Sequence, residues 1–115
     1  MRAIIYHNPK CSTSRKVLAE IRARGIEPEV VDYQKTPPSR EALHRIAADS
    51  GLGLRGILRR KNTPYDELGL GDDGLSDDRL LDALEAHPVL LNRPVVVTER
   101  GTRLVRPITL LDEIL

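Results

Sequence analysis

Two rhythms of apolar and polar residues run along this chain, one suited to strands and one to helices. Ala3-Ile4-Ile5-Tyr6 is a short apolar run that reads as a buried strand. It stops at His7-Asn8-Pro9-Lys10, where Pro9 disfavours both strand pairing and helix continuation. From Ser12 the period changes. Val17, Leu18 and Ile21 share one face, with Arg15, Lys16, Glu20, Arg22 and Arg24 mostly around the other. Gly25 is the expected helix stop, and Glu29-Val30-Val31-Asp32-Tyr33 follows as a second strand. A strand, a helix and a strand within about 30 residues predict a βαβ unit with parallel strands.

The middle of the chain reads as helical. Pro37-Pro38 ends the second strand, and Ser39 is a plausible cap for a helix with Leu43, Ile46 and Ala47 on one face. Gly51 and Gly53 break that helix, and Arg55 to Lys61 is expected as a short basic helical turn. Residues 69–74 form a loop. Ser76 then caps a helix with Leu80, Leu81 and Leu84 inward, ending near His87-Pro88. After this the residue types turn to β. Val95-Val96-Val97-Thr98 and Arg103-Leu104-Val105-Arg106 flank Glu99-Arg100-Gly101, which predicts an antiparallel hairpin. Pro107 opens a last short helix with Leu110, Leu111 and Ile114. The order βαβ, helices, ββα predicts an α/β fold, a four-stranded mixed sheet flanked by helices.

Composition narrows the function classes. The 115 residues suit one domain, and 40% hydrophobic with 30% charged is an ordinary globular balance. Phe and Trp are absent, so aliphatic side chains must build the core. The formal net charge of +1 provides no general field for nucleic acid or an acidic membrane, and neither partner is expected. No apolar run is long enough to span a bilayer, and Met1 leads directly into the first strand without a signal-peptide pattern. The single cysteine excludes an internal disulfide, a Cys-x-x-Cys pair and a cysteine-based zinc site, so a cytoplasmic protein without a bound metal is expected.

That cysteine, Cys11, stands between a strand end and a helix start. Unpaired backbone N–H groups at a helix N-terminus stabilise a thiolate, and Lys10, Arg15 and His7 lie close in sequence. Ser12, Thr13 and Ser14 offer hydroxyls to the sulfur or to an oxyanion. Lone cysteines are more often buried packing residues, but this one lies outside the apolar stripes among polar and basic neighbours. A nucleophile is therefore the better reading. The spacing from Cys11 to Arg15 is too short for a phosphatase loop, and Ser14 occupies the place of a second cysteine. An oxyanion needs further charge, which arginine delivers through its planar fork. Arg59 lies in the basic middle turn, while Arg93 and Arg106 each precede a proline at a strand boundary. The Arg93–Pro94 bond is expected to be cis, an isomer tolerated at a strand entry.

His7-Asn8-Pro9-Lys10-Cys11-Ser12-Thr13-Ser14-Arg15 resembles the signature of the glutaredoxin-dependent arsenate reductase family. The resemblance continues collinearly through Leu58-Arg59-Arg60-Lys61, Pro64 to Leu70, His87-Pro88, Asn92 to Val97 and Gly101 to Pro107. It implies a thioredoxin-like fold, a single domain over 1–115 with a helical insertion at about 39–90. It also implies that Cys11 attacks arsenate, that Arg59, Arg93 and Arg106 bind the anion, and that His7, Ser14 and Arg15 support the thiol. Arg60 adjoins Arg59, and the alignment with Pro64-Tyr65 favours Arg59. Ser12 stands where reductases of that family usually have glycine. Reduction of arsenate takes two electrons and this chain owns one thiol, so glutathione is the implied co-substrate and glutaredoxin the partner, with no bound cofactor. Two other functions fit parts of the pattern. A regulator of the related Spx type would bind RNA polymerase, and a monothiol glutaredoxin-like oxidoreductase would leave the arginines without an oxyanion.

Overall fold

A computed structural model describes residues 1–115, which form two compact units. The first, Met1–Thr36 with Arg93–Leu115, contains the sheet, and the second, Pro37–Asn92, contains the helical middle.

In the sheet unit, β1 (Ala3–His7), α1 (Ser12–Ala23) and β2 (Glu29–Asp32) form the expected βαβ segment, with β1 and β2 parallel. The hairpin of β3 (Val95–Thr98) and β4 (Gly101–Leu104) joins β1 antiparallel through β3, giving the order β2-β1-β3-β4. The mixed four-stranded sheet is the predicted one. Ile5, Val17, Ile21, Val96, Val105, Leu111 and Ile114 are fully buried in one cluster. Burying such a side chain contributes roughly 1.5–3 kcal/mol, so aliphatic residues do the work of the missing aromatics. Gly25, at φ +83°, ends α1 in the left-handed region where a Cβ would be strained.

β1 runs one residue further than expected, to His7, and β2 stops one residue earlier, at Asp32; the last two elements differ more from the sequence expectation. The fourth strand begins at Gly101 and ends at Leu104, because a two-residue turn at Glu99-Arg100 sets Gly101 opposite Thr98. The Arg106 N–H then donates to the Leu104 carbonyl, a local turn that takes Arg106 off the ladder. The last helix is a 3₁₀ helix, Ile108–Glu113, although Leu111 and Ile114 do point into the core.

In the helical unit, α2 (Arg40–Asp49) and α4 (Asp77–Ala86) start where their serines predict. Ser39 Oγ accepts from the Ala42 N–H at 3.1 Å, and Ser76 Oγ from the Arg79 N–H at 3.3 Å. Leu43, Ile46, Ala47, Leu80, Leu81 and Leu84 are buried as their spacing requires. The short α3 (Gly53–Gly56) replaces the helical turn expected at Arg55 to Lys61. Beyond it the chain pairs with a distant segment: Leu58 bridges to Leu91, and Arg59 N–H donates to the Leu90 carbonyl at 2.7 Å. A 3₁₀ turn at Pro88–Leu90 completes the unit.

Candidate active site

β1 ends at His7 and α1 begins at Ser12, so Asn8 to Cys11 form the loop that carries the thiol. Asn8 organises this loop. Its carbonyl accepts from the Cys11 N–H at 3.0 Å and its Oδ1 from the Lys10 N–H at 2.9 Å. Cys11 sits at the N-cap of α1 in extended conformation, φ −93° and ψ 121°, and its carbonyl takes the first helical bond from Arg15. The first turn of α1 has no acidic residue, so nothing there opposes a negative sulfur.

The thiol is half-buried. Burial alone would push its pKa up. Hydrogen bonding from the Ser14 backbone N–H, the Arg93 guanidinium by hydrogen bond and charge, and a hydrogen bond from Arg106 together outweigh burial, bringing the group from 9.0 down to about 7. Near neutral pH much of Cys11 is therefore thiolate, the nucleophilic form.

Arg93 and Arg106 arrive from the other end of the chain. The Arg93–Pro94 bond is cis, the isomer expected, and Arg106–Pro107 is cis as well. Arg106 Nη1 donates to the Arg93 carbonyl at 3.0 Å, bracing one arginine on the backbone of the other. The Val105 N–H meanwhile donates to the Pro94 carbonyl at 2.9 Å, fixing the start of β3 to the end of β4. Nε and Nη1 of Arg93 are shielded from solvent, which strengthens their pull on the sulfur.

Behind the thiol lies a second polar layer. Ser14 is fully buried; its Oγ lies 2.6 Å from His7 Nδ1 and accepts from the Asn8 N–H at 3.1 Å. Burial lowers the His7 pKa, with Asp32 opposing and Arg22 and Arg15 assisting, so the ring is neutral at pH 7 and exchanges one hydrogen bond with Ser14. Arg15 does not point its charge at the sulfur as its position suggested. Its Nη1 donates to the Pro9 carbonyl at 2.9 Å and ties the helix to the loop.

Tyr33 and Asn8 are the site residues that sequence reading missed. Tyr33 is buried, as a packing residue would be, but its hydroxyl, which has no hydrogen-bond partner, lies in the fields of Arg93 and Cys11. Burial pushes that hydroxyl up, so it stays protonated. The signal was available in the topology: β1 and β2 are parallel with His7 opposite Asp32, so the residues that follow both strands share one sheet end.

The helical unit carries the remaining expected arginine. Arg59 is half-buried, with Nη1 donating to Asn92 Oδ1 at 3.3 Å and Nε to the Lys61 carbonyl at 3.1 Å, both neutral oxygens. Arg60 is instead exposed, bonded to the Asp66 carboxylate at 2.9 Å and lying over the Tyr65 ring. No group of three or more His, Cys, Asp or Glu is arranged to hold a metal ion, and no helix is long and apolar enough to cross a membrane.

Comparison with known proteins adds to this geometry. The model of the ArsC family matches residues 6–113. An arsenate reductase of Rhizobium meliloti is 55% identical over 115 residues, covering 100% of this chain and 82% of that protein. An arsenate reductase of Escherichia coli is 51% identical over 111 residues, covering 96% and 79%. Among solved structures, an arsenate reductase from Vibrio cholerae superposes with a TM-score of 0.95 at 46% identity, covering 100% of this chain and 98% of that one.

Proposed function

The chain belongs to the ArsC family, and from that premise we propose that it reduces arsenate to arsenite with Cys11 as its nucleophile. The observation that carries the assignment of Cys11 is its thiol brought down to about 7 by the Ser14 backbone N–H together with Arg93 and Arg106. The Cys11 thiolate displaces one hydroxyl from arsenate, which leaves as water after gaining a proton, and a sulfur–arsenic bond forms. Arg93 and Arg106 hold the remaining oxygens and stabilise the charge that gathers on them. On its match to the family signature, Arg59 is proposed as the third anion ligand. His7 and Ser14 keep the loop in register, and Arg15 anchors Pro9.

A second thiolate must then relieve the adduct. Glutathione attacks the Cys11 sulfur, the sulfur–arsenic bond pair remains on arsenic, and As(V) becomes As(III). Both sulfurs are left in a mixed disulfide. Glutaredoxin attacks the glutathione sulfur of that disulfide and frees Cys11. This division suits a chain with one cysteine and supports a cytoplasmic location, where reduced thiols are abundant. A polymerase-binding regulator has no use for a charge pair aimed at the sulfur, and a monothiol oxidoreductase would use it to hold the thiolate but would leave the arginines without an oxyanion.

The test is arsenate-dependent oxidation of NADPH in the presence of glutathione, glutaredoxin and glutathione reductase. Wild type is expected to turn over, Cys11→Ser to be inactive, and Arg93→Lys to lose about tenfold in kcat/KM because the planar fork is gone. Absence of turnover, beside a working reductase as control, would refute the proposal.

A further inference from the structure

Beside the thiol loop is a cleft that the oxyanion chemistry leaves unused. Asn8, Pro9 and Lys10 line one part of it and Asp32, Gln34 and Lys35 the rest, around a volume of about 350 Å³. That volume falls within the range of small-molecule sites. Three of its lining residues, Asn8, Pro9 and Lys10, belong to the loop that leads into Cys11.

The backbone of the cleft is held while its charged groups remain available. The Lys10 N–H bonds to Asn8 Oδ1 at 2.9 Å, and the Lys35 N–H to the Asp32 carbonyl at 3.0 Å. Asp32 Oδ1 accepts from the Gln34 N–H at 3.3 Å. Both lysine side chains are exposed, and neither forms an ion pair with a carboxylate of the protein. The residues lining the cleft thus include two lysines and one aspartate, with the amides of Asn8 and Gln34.

A ligand complementary to this pattern carries two carboxylates and one ammonium, together with a sulfur to present to Cys11. Glutathione has that set of charges. We propose that the cleft seats glutathione, with Lys10 and Lys35 meeting its carboxylates and Asp32 its ammonium. The inference rests on the reading of Cys11 as a thiol that a second thiol must relieve, but it is separable from arsenate reduction.

The separation lies in a reaction that needs no arsenate. The Cys11 thiolate attacks one sulfur of oxidised glutathione, that disulfide breaks, one glutathione leaves as thiolate, and Cys11 keeps the other as a mixed disulfide. Hydroxyethyl disulfide undergoes the same exchange without charges. The readout is the ratio of the two rate constants, glutathione disulfide over hydroxyethyl disulfide, followed by mass spectrometry without arsenate or glutaredoxin. Dividing by the neutral reagent removes any change in the reactivity of Cys11 itself.

Wild type is expected to favour glutathione disulfide at low salt and to lose that preference as salt rises. Lys35→Gln and Lys10→Gln should each lower the ratio by about threefold, the scale of an exposed ion pair. A wild-type ratio that matches an unstructured cysteine peptide would overturn the cleft assignment, and so would a ratio unchanged in both variants. Loss of arsenate turnover with the ratio intact would count against the arsenate reading alone.

Discussion

Cys11 sits under two opposed influences, burial that favours the thiol, and the Ser14 backbone N–H with the Arg93 and Arg106 guanidinium groups that favour the thiolate, and the second wins by enough to matter at neutral pH. The same shift has a consequence for stability. Between about 7 and 9.0 the unfolded chain still binds a proton that the folded chain has released, so folding gains stability as pH rises through that window. The gain is lost as pH falls through about 7. Ser14 shows how the surroundings are kept in order. Its hydroxyl satisfies the Asn8 N–H and meets His7 inside a buried layer. Ser14→Ala leaves those groups without a partner and is expected to cost about 1–3 kcal/mol, measured by urea unfolding. The thiol, His7, Ser14 and the two Arg-Pro pairs were legible in the sequence because each carries its chemistry locally. Tyr33 was not: its importance comes from lying beside Asn8 at the end of a parallel strand pair, a relation between segments rather than a pattern within one.

At the scale of elements, local signals did well wherever the element is stabilised locally. Ser39 and Ser76 mark the starts of α2 and α4 because their hydroxyls satisfy helix N–H groups a few residues on. Ser39→Ala is accordingly expected to destabilise the protein by about 1 kcal/mol, read from the shift in the urea midpoint at constant slope. The expected helical turn at Arg55 to Lys61 fails for the complementary reason. Ile57, Leu58 and Arg59 find backbone partners at Asn92, Leu91 and Leu90, and those distant pairings displace the local preference. The fourth strand is set in the same way, by the register of Gly101 against Thr98. Its Gly101 has φ +148°, and an added Cβ there would come within 3.4 Å of Ile114.

At the scale of the molecule, a formal charge of +1 conceals unequal local fields. Arg40 is held by Asp78, Asp82 and Glu85 inside the helical unit, whereas Arg93 and Arg106 spend their charge on the sulfur of Cys11. Whole-chain arithmetic says nothing of a site built from three residues. We propose further that the two compact units behave as one domain, with 39–90 as its insertion. Urea unfolding followed by circular dichroism and by Cys11 reactivity should then give coincident transitions. Two separate midpoints would mean that the helical unit folds on its own.

The most direct measurement is the pH dependence of Cys11 alkylation by iodoacetamide, with and without arsenate. A thiol prepared for attack on an oxyanion is expected to react with a midpoint near 7 and to be protected when arsenate is added. A midpoint near 9.0, or a rate that arsenate does not change, would contradict the assignment of Cys11 and its arginines as the arsenate site.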